Sequence, residues 1–260
     1  MTTNDLTDLL AKLGLHYLAG NVMEFCARAT KNKHSPYQTV EQLARLEQEE
    51  KLRRGLIRRL NGASLGRYKP LSEFDWAWPK KINRDTIEDL MTVKFVDEPA
   101  NVVIFGPSGA GKTMIAKNIA YAAVSAGHAA LFTSASEMLS DLERQESPRL
   151  LKLRLQRFAK PKVLVIDEVG YLSYSTRAAD LMFQLVNARH EVSTIITTNL
   201  AFKDWGNTFP GSACLVAMLD RLTHRAEIIA IDADSWRNKE ANERKTRKAK
   251  KREVNHEAPQ

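Results

Sequence analysis

The sequence predicts an α/β fold with a five-stranded parallel sheet, preceded by a small all-α segment. Three observations carry this. From residue 101 onward, short apolar β-branched runs alternate with helical patterns; a glycine-rich loop ending in Lys-Thr sits between the first run and the first of these helices; and before residue 100, leucines recur at three- and four-residue spacing.

The N-terminal third opens with Leu6, Leu9, Leu10, Leu13, Tyr17 and Leu18 on one helical face, weakened at Gly14 and Gly20. Residues 30–38 read as a polar linker containing Pro36. Thr39 with Gln42 has capping-box spacing and announces a second helix. Val40, Leu43, Leu46, Leu56, Ile57 and Leu60 form its apolar stripe, and Asn61-Gly62 ends it. Pro70 and the stretch Phe74–Pro79 predict a turn-rich connector, and 84–96 a short helix. The strands follow at Val102–Phe105, Ala129–Thr133, Val163–Ile166, Thr194–Thr198 and Ile228–Ile231. Helical patterns lie between them at about 112–126, 135–158, 176–190 and 212–222. Val/Ile runs without polar alternation mean strands covered on both faces, as in a parallel sheet. The expected organisation is a helical basic domain over 1–98, an α/β domain over 99–236, and a charged tail over 237–260 with too few apolar residues to pack.

The chain has 260 residues, 43% of them hydrophobic, enough for a core and incompatible with wholesale disorder. Cys26 and Cys214 lie far apart with no CxxC pair, which excludes a disulfide framework and a cysteine zinc site. The first residues are acidic and polar, unlike a signal peptide. The segment Ile119–Phe132 is broken by Ser125, Gly127 and His128, so no membrane partner is expected and the cytoplasm is the expected location. The net charge of +8 is uneven: residues 51–84 hold ten Lys/Arg against Glu73 and Asp75. A polyanion partner explains such clustering, because phosphates bound by Lys and Arg release counterions; a solvated basic face explains the same charge. Candidate DNA contacts are Lys51, Arg53, Arg54, Arg58, Arg59, Arg67 and Lys69.

Gly106-Pro107-Ser108-Gly109-Ala110-Gly111-Lys112-Thr113 fits GxxxxGK[ST] between a strand and a helix. Its backbone N–H groups can wrap a phosphate, with Lys112 on the β- and γ-phosphates and Thr113 on Mg²⁺, so ATP and Mg²⁺ are the expected cofactors. Lys162-Val-Leu-Val-Ile-Asp167-Glu168 delivers two carboxylates to the C-terminal edge of a buried strand, where ligands of open α/β sheets bind. Asp167 is placed on Mg²⁺ and Glu168 as general base for the attacking water.

Adjacent Asp167-Glu168 on this later strand resembles the AAA+ ATPases. Asn199 closes the next strand at the place of the AAA+ sensor-1 residue, and Arg221 in Met218-Leu-Asp-Arg-Leu resembles an arginine finger supplied to a neighbour's ATP. The combination GPSGAGKT, VLVIDEVGYL, TTNL and MLDRLTHRAEIIAID, with the basic N-terminal domain, resembles the IstB-type ATP-binding proteins of bacterial insertion sequences over about residues 40–237. The resemblance implies a homo-oligomeric ATPase that assembles on double-stranded DNA, deforms it, and recruits and stimulates a cognate transposase. A helicase-loader ATPase of DNA replication is the alternative. A reduced or absent helical lid is expected after the last strand, which leaves a lid-borne sensor-2 arginine without a secure counterpart; Arg237 is a candidate.

Overall fold

The computed structural model describes residues 3–236 and Lys239, and the chain forms two units, Met1–Asn61 and Gly62–Gln260. The tail beyond Lys239 and Arg237 lie outside the described residues.

In the first unit, α1 (Thr3–Lys12) pairs with α2 (His16–Lys31), and α3 (Pro36–Gly62) follows. Leu10, Leu18, Val22 and Phe25 form a small core against which Leu43 and Leu46 of α3 pack. Glu47 of α3 accepts the backbone N–H groups of Tyr17 and Leu18 at 3.2 and 2.6 Å. A carboxylate thus satisfies the orphan donors of α2's first turn, where negative charge is favoured. The cap of α3 lies earlier than Thr39-Gln42. Gln38 N–H donates to Ser35 Oγ and Ser35 N–H to Gln38 Oε1, at 3.2 and 2.9 Å. The residues read as linker therefore include the first turn of α3, because Pro36 suits the start of a helix, where its missing N–H costs nothing. The predicted stripe is only partly covered: no α3 residue is buried, and Val40 is 65% exposed.

In the second unit, β1 (Asn101–Phe105), β2 (Ala130–Ser134), β3 (Val163–Val169), β4 (Ser193–Thr198) and β5 (Ala226–Ala230) form one parallel sheet in the order β2-β3-β4-β1-β5. The helices are α4 (Arg84–Met91), α5 (Lys94–Asp97), α6 (Lys112–Ser125), α7 (Ala135–Glu143), α8 (Pro148–Ala159), α9 (Thr176–Ala188), α10 (Trp205–Thr208) and α11 (Leu215–Thr223). Leu164 and Ile166 of β3 and Ile196 of β4 join a core with α7, α9 and α11. Their alternating neighbours Val163, Val165 and Ile195, equally buried, point to the opposite face, where α6 packs.

Three sequence expectations shift. The pattern over 135–158 is two helices, since Ser147-Pro148 starts a new one and Pro148 cannot continue the old. The 84–96 helix breaks at Val93, whose φ is +69°. The last strand runs Ala226–Ala230 and, among the described residues, pairs only with β1, so as an edge it leaves Ile228 56% exposed rather than covered on both faces.

Residues 62–98, grouped by charge with the N-terminal segment, cluster with the sheet. Phe132 N–H donates to Ala63 O at 2.8 Å, and buried Asn118 of α6 accepts from Tyr68 Oη and Leu71 N–H, each at 2.8 Å. Arg189, 2% exposed, anchors the opposite end. Its guanidinium donates to the carbonyls of Phe158, Ala159, Pro161 and Ser193 and to Thr194 Oγ1, and burial lowers its pKa to about 9.

Candidate functional site

The site is built where β1 turns into α6. Gly109 and Gly111 adopt φ of +80° and +93°, a region that strains side-chain-bearing residues. A Cβ on Gly111 would lie 2.6 Å from Phe74 Cε2, and one on Gly109 2.6 Å from Ser235 Oγ. The loop thus needs glycine for both its curvature and its close neighbours. Since α6 begins at Lys112, the N–H groups of its first turn face the loop, which makes an anion cradle. Lys112 Nζ sits within it, donating to Gly106 O and Pro107 O at 2.8 Å each. A cleft of about 360 Å³ opens beside the loop, bordered by Glu168 near the end of β3, Tyr171 after it, Asn199 after β4, and Lys69 and Trp236.

The strand order decides what meets the loop. β4 lies between β1 and β3, so the end of β4 stands between the phosphate loop and the carboxylate pair. Thr113 Oγ1 nevertheless reaches across to Asp167, donating to Oδ1 and Oδ2 at 3.1 and 3.0 Å. A hydroxyl and a buried carboxylate facing each other are hard oxygen donors that suit Mg²⁺, so the residues present fit that ion. Between Ile166 and Val169 the register of β3 against β4 slips, and Glu168 takes φ +60°. This bulge re-aims the side chain: Asp167 stays buried while Glu168 is exposed on the cleft. Burial first, and then the Glu168 charge, push the Tyr174 phenol up to about 12.

Lys112, Thr113, Asp167, Glu168 and Asn199 therefore come together. Arg221 does not join them. It lines a separate hollow with Asn101, Asp220, His224 and Arg225, its guanidinium 5.2 Å from the Phe183 ring and its Nη1 buried without a hydrogen-bond partner. Among the candidate DNA contacts, Lys51, Arg54 and Arg58 share one groove of the first unit with His16, Glu47 and Glu50. Arg53 is tied to Glu50 at 2.8 Å, which raises the arginine and lowers the carboxylate. Arg59 is half-buried and Arg67 exposed, whereas Lys69 borders the cleft beside the glycine-rich loop.

Two features escape a reading of the sequence. Thr197, fully buried, donates to Asp167 Oδ1 and accepts the N–H of Glu168. Its only signal is a pair of threonines ending an apolar strand. The second is α8, where Arg149, Lys152 and Arg157 are exposed. Seven of the fourteen Lys/Arg in residues 101–236 fall within 144–162, a concentration hidden by the near-neutral average of that region.

The family profile described as IstB-like ATP binding protein matches residues 8–244. The chain is 33% identical over 238 residues to the ATP-binding protein of insertion sequence IS21 from Pseudomonas aeruginosa, covering 91% of this chain and 90% of that one. It is 33% identical over 239 residues to the ATP-binding protein of insertion sequence IS232 from Bacillus thuringiensis subsp. berliner, covering 90% and 94%. Among solved structures, DnaI matches with a TM-score of 0.53 and 19% identity over 66% of this chain and 91% of that one. AMPPCP-bound DnaA from Aquifex aeolicus matches with a TM-score of 0.55 and 16% identity over 66% and 52%. These likenesses establish the P-loop AAA+ fold.

Proposed function

The chain belongs to the family of IstB-like ATP binding proteins, and from that premise we propose that it hydrolyses ATP with Mg²⁺, assembles with copies of itself on duplex DNA, and assists an insertion-sequence transposase in target selection and strand transfer. The observation that carries the reading is the bulge after Asp167. It keeps one carboxylate against Thr113 and turns the next toward the cleft beside the phosphate loop.

In this reading the loop N–H groups and Lys112 hold the β- and γ-phosphates, and Thr113 and Asp167 hold Mg²⁺. When bound, the ion neutralises charge on the phosphate oxygens. Glu168 takes the proton of the attacking water, and Asn199 orients that water or the γ-phosphate. Among the described residues, those bordering the cleft include two cations, Lys69 and Lys112, and no arginine. Arg221, held away from this cleft, is suited to completing the site of a neighbouring copy. Of the 1–98 segment, DNA binding and assembly are assigned to residues 1–61, since 62–98 cluster with the sheet; ATP is assigned to 99–236 and a supporting basic role to 237–260, with the groove of Lys51, Arg54 and Arg58 as the main duplex contact. The basic face of α8 is a second duplex surface within the ATP-binding unit. The relatives named for insertion sequences favour transposition over helicase loading. An adjacent transposase gene would be the discriminating observation.

The reading is tested by measuring nucleotide binding and phosphate release on the same proteins. Glu168→Gln should bind ATP as wild type does yet lose hydrolysis by about 10²-fold or more, the usual contribution of a positioned base. Lys112→Ala should lose binding itself. Equal ATP affinity in the two variants would contradict these assignments.

A further inference from the structure

β4 is the most thoroughly enclosed strand of the sheet: all six of its residues are buried. A hydroxyl placed there must find partners inside the protein, and each one does so differently. Ser193 donates to Phe95 O, Thr194 accepts from Arg189, and Thr198 closes a local turn with Leu200. Thr197 alone turns toward the carboxylate pair. Its one donor goes to Asp167 Oδ1, and one of its acceptor positions takes the backbone N–H of Glu168 at 2.9 Å. The Asp167 carboxylate is thereby held from two sides, by Thr113 at the start of α6 and by Thr197 from β4. The Glu168 N–H that Thr197 receives lies inside the bulge, at the residue with φ +60°.

We infer that Thr197 is a positioning residue that fixes both carboxylates at once: it sets the orientation of Asp167 toward the metal position and pins the bulge that aims Glu168 at the cleft. This rests on the ATPase reading above. The physical argument is one of geometry. A residue in the left-handed region persists only when its surroundings over-determine it, and here the determining contact is a buried side-chain hydroxyl. Without that hydroxyl, Asp167 keeps Thr113 only and the Glu168 N–H loses its partner. The phosphate loop runs between β1 and α6, whereas the Thr197 hydroxyl bonds to Asp167 and Glu168 on β3, so the cradle itself should be untouched. The consequence is selective: metal use and turnover suffer, and metal-free nucleotide binding does not.

Thr197→Val keeps the branched shape and removes the hydroxyl, Thr197→Ala does so with less crowding, and Thr197→Ser keeps the hydroxyl. Each full-length protein is titrated with fluorescent ATP at graded Mg²⁺, and kcat and KM are measured alongside a thermal melt. Partners that orient a metal ligand typically matter by about 10–100-fold. Thr197→Val and Thr197→Ala should therefore raise the half-saturating Mg²⁺ and lower kcat by at least about tenfold, with metal-free ATP affinity unchanged. Thr197→Ser should restore both to within about threefold of wild type. Wild-type Mg²⁺ dependence in the Val or Ala variant would overturn the inference. So would a serine variant as defective as valine, which would mark a packing role. If the wild-type chain bound ATP but released no phosphate, the ATPase reading would fail, while the Mg²⁺ titration would still decide the role of Thr197.

Discussion

The two units differ in how they use the same helical vocabulary. In Met1–Asn61, the core is Leu10, Leu18, Val22 and Phe25, no residue of α3 is buried, and Met23, Tyr37, Val40 and Leu52 are each more than 60% exposed. In Gly62–Gln260, β3 and β4 are almost wholly enclosed, and even polar Asn118, Asp167 and Arg189 are buried with their hydrogen bonds made. A site that must hold charged groups to fractions of an ångström is built on the second kind of structure. A surface that grips a polyanion needs only charge at helical spacing, and the first kind suffices. The lesson is that deep burial supports the site needing geometry, while the surface proposed to bind by charge is left shallow and exposed.

The largest effect that could break this comparison concerns the exception, Arg221, which sits in the well-packed unit yet outside its cleft. If it acts on a neighbour's ATP, Arg221→Ala should lower kcat by about 10³-fold. Mixing it with Lys112→Ala protein should restore part of the activity at mixed interfaces, as read by phosphate release. Hydrolysis that is independent of protein concentration, with no restoration on mixing, would confine the site to one chain.

The next effect separates the units by stability. Arg189→Met would leave four backbone carbonyls, two of them fully buried, without this donor and should cost about 3 kcal/mol. Phe25→Ala should cost a similar amount through its cavity, about 3 kcal/mol, but only in the first unit. Calorimetry on the two variants should move two different transitions, and only Arg189→Met should reduce the fraction able to bind ATP at elevated temperature. A single shared transition would show that the units melt as one body. The smallest effect is the cap: Ser35→Ala should lower the first transition by the equivalent of about 1 kcal/mol, and Thr39→Ala, removed from the box, by less.

The same contrast explains what the sequence made legible. The phosphate loop and Asp167-Glu168 are local patterns whose chemistry depends on neighbours in the chain, and strand, loop and helix fall where the glycines and β-branched runs require. Thr197 is invisible in the sequence because its role exists only once β4 is inserted beside β3, thirty residues away from Asp167. The docking of 68–71 on Asn118 is likewise a long-range pairing with no local signature. The break between α7 and α8 does have a signal: Ser147-Pro148 is a helix start, masked by an apolar period that runs on across it. The cap of α3 is obscured for a related reason, since two successive box spacings exist and Pro36 decides between them.

The division of labour between the units is tested most directly by one protein measured twice. Arg54, Arg58 and Arg59 replaced together by Ala should weaken binding to unrelated duplexes to a similar degree, because phosphate contacts carry no sequence information. The dependence of log affinity on log salt should flatten by up to about three units, at about 0.9 for each phosphate no longer neutralised. On the same preparation, ATP affinity should equal that of wild type. Unchanged duplex binding, with its loss instead on replacing Arg149, Lys152 and Arg157 of α8 or on ending the chain at Trp236, would place the DNA contact elsewhere. A fall in ATP affinity alongside DNA affinity would contradict the separation of the two units' tasks.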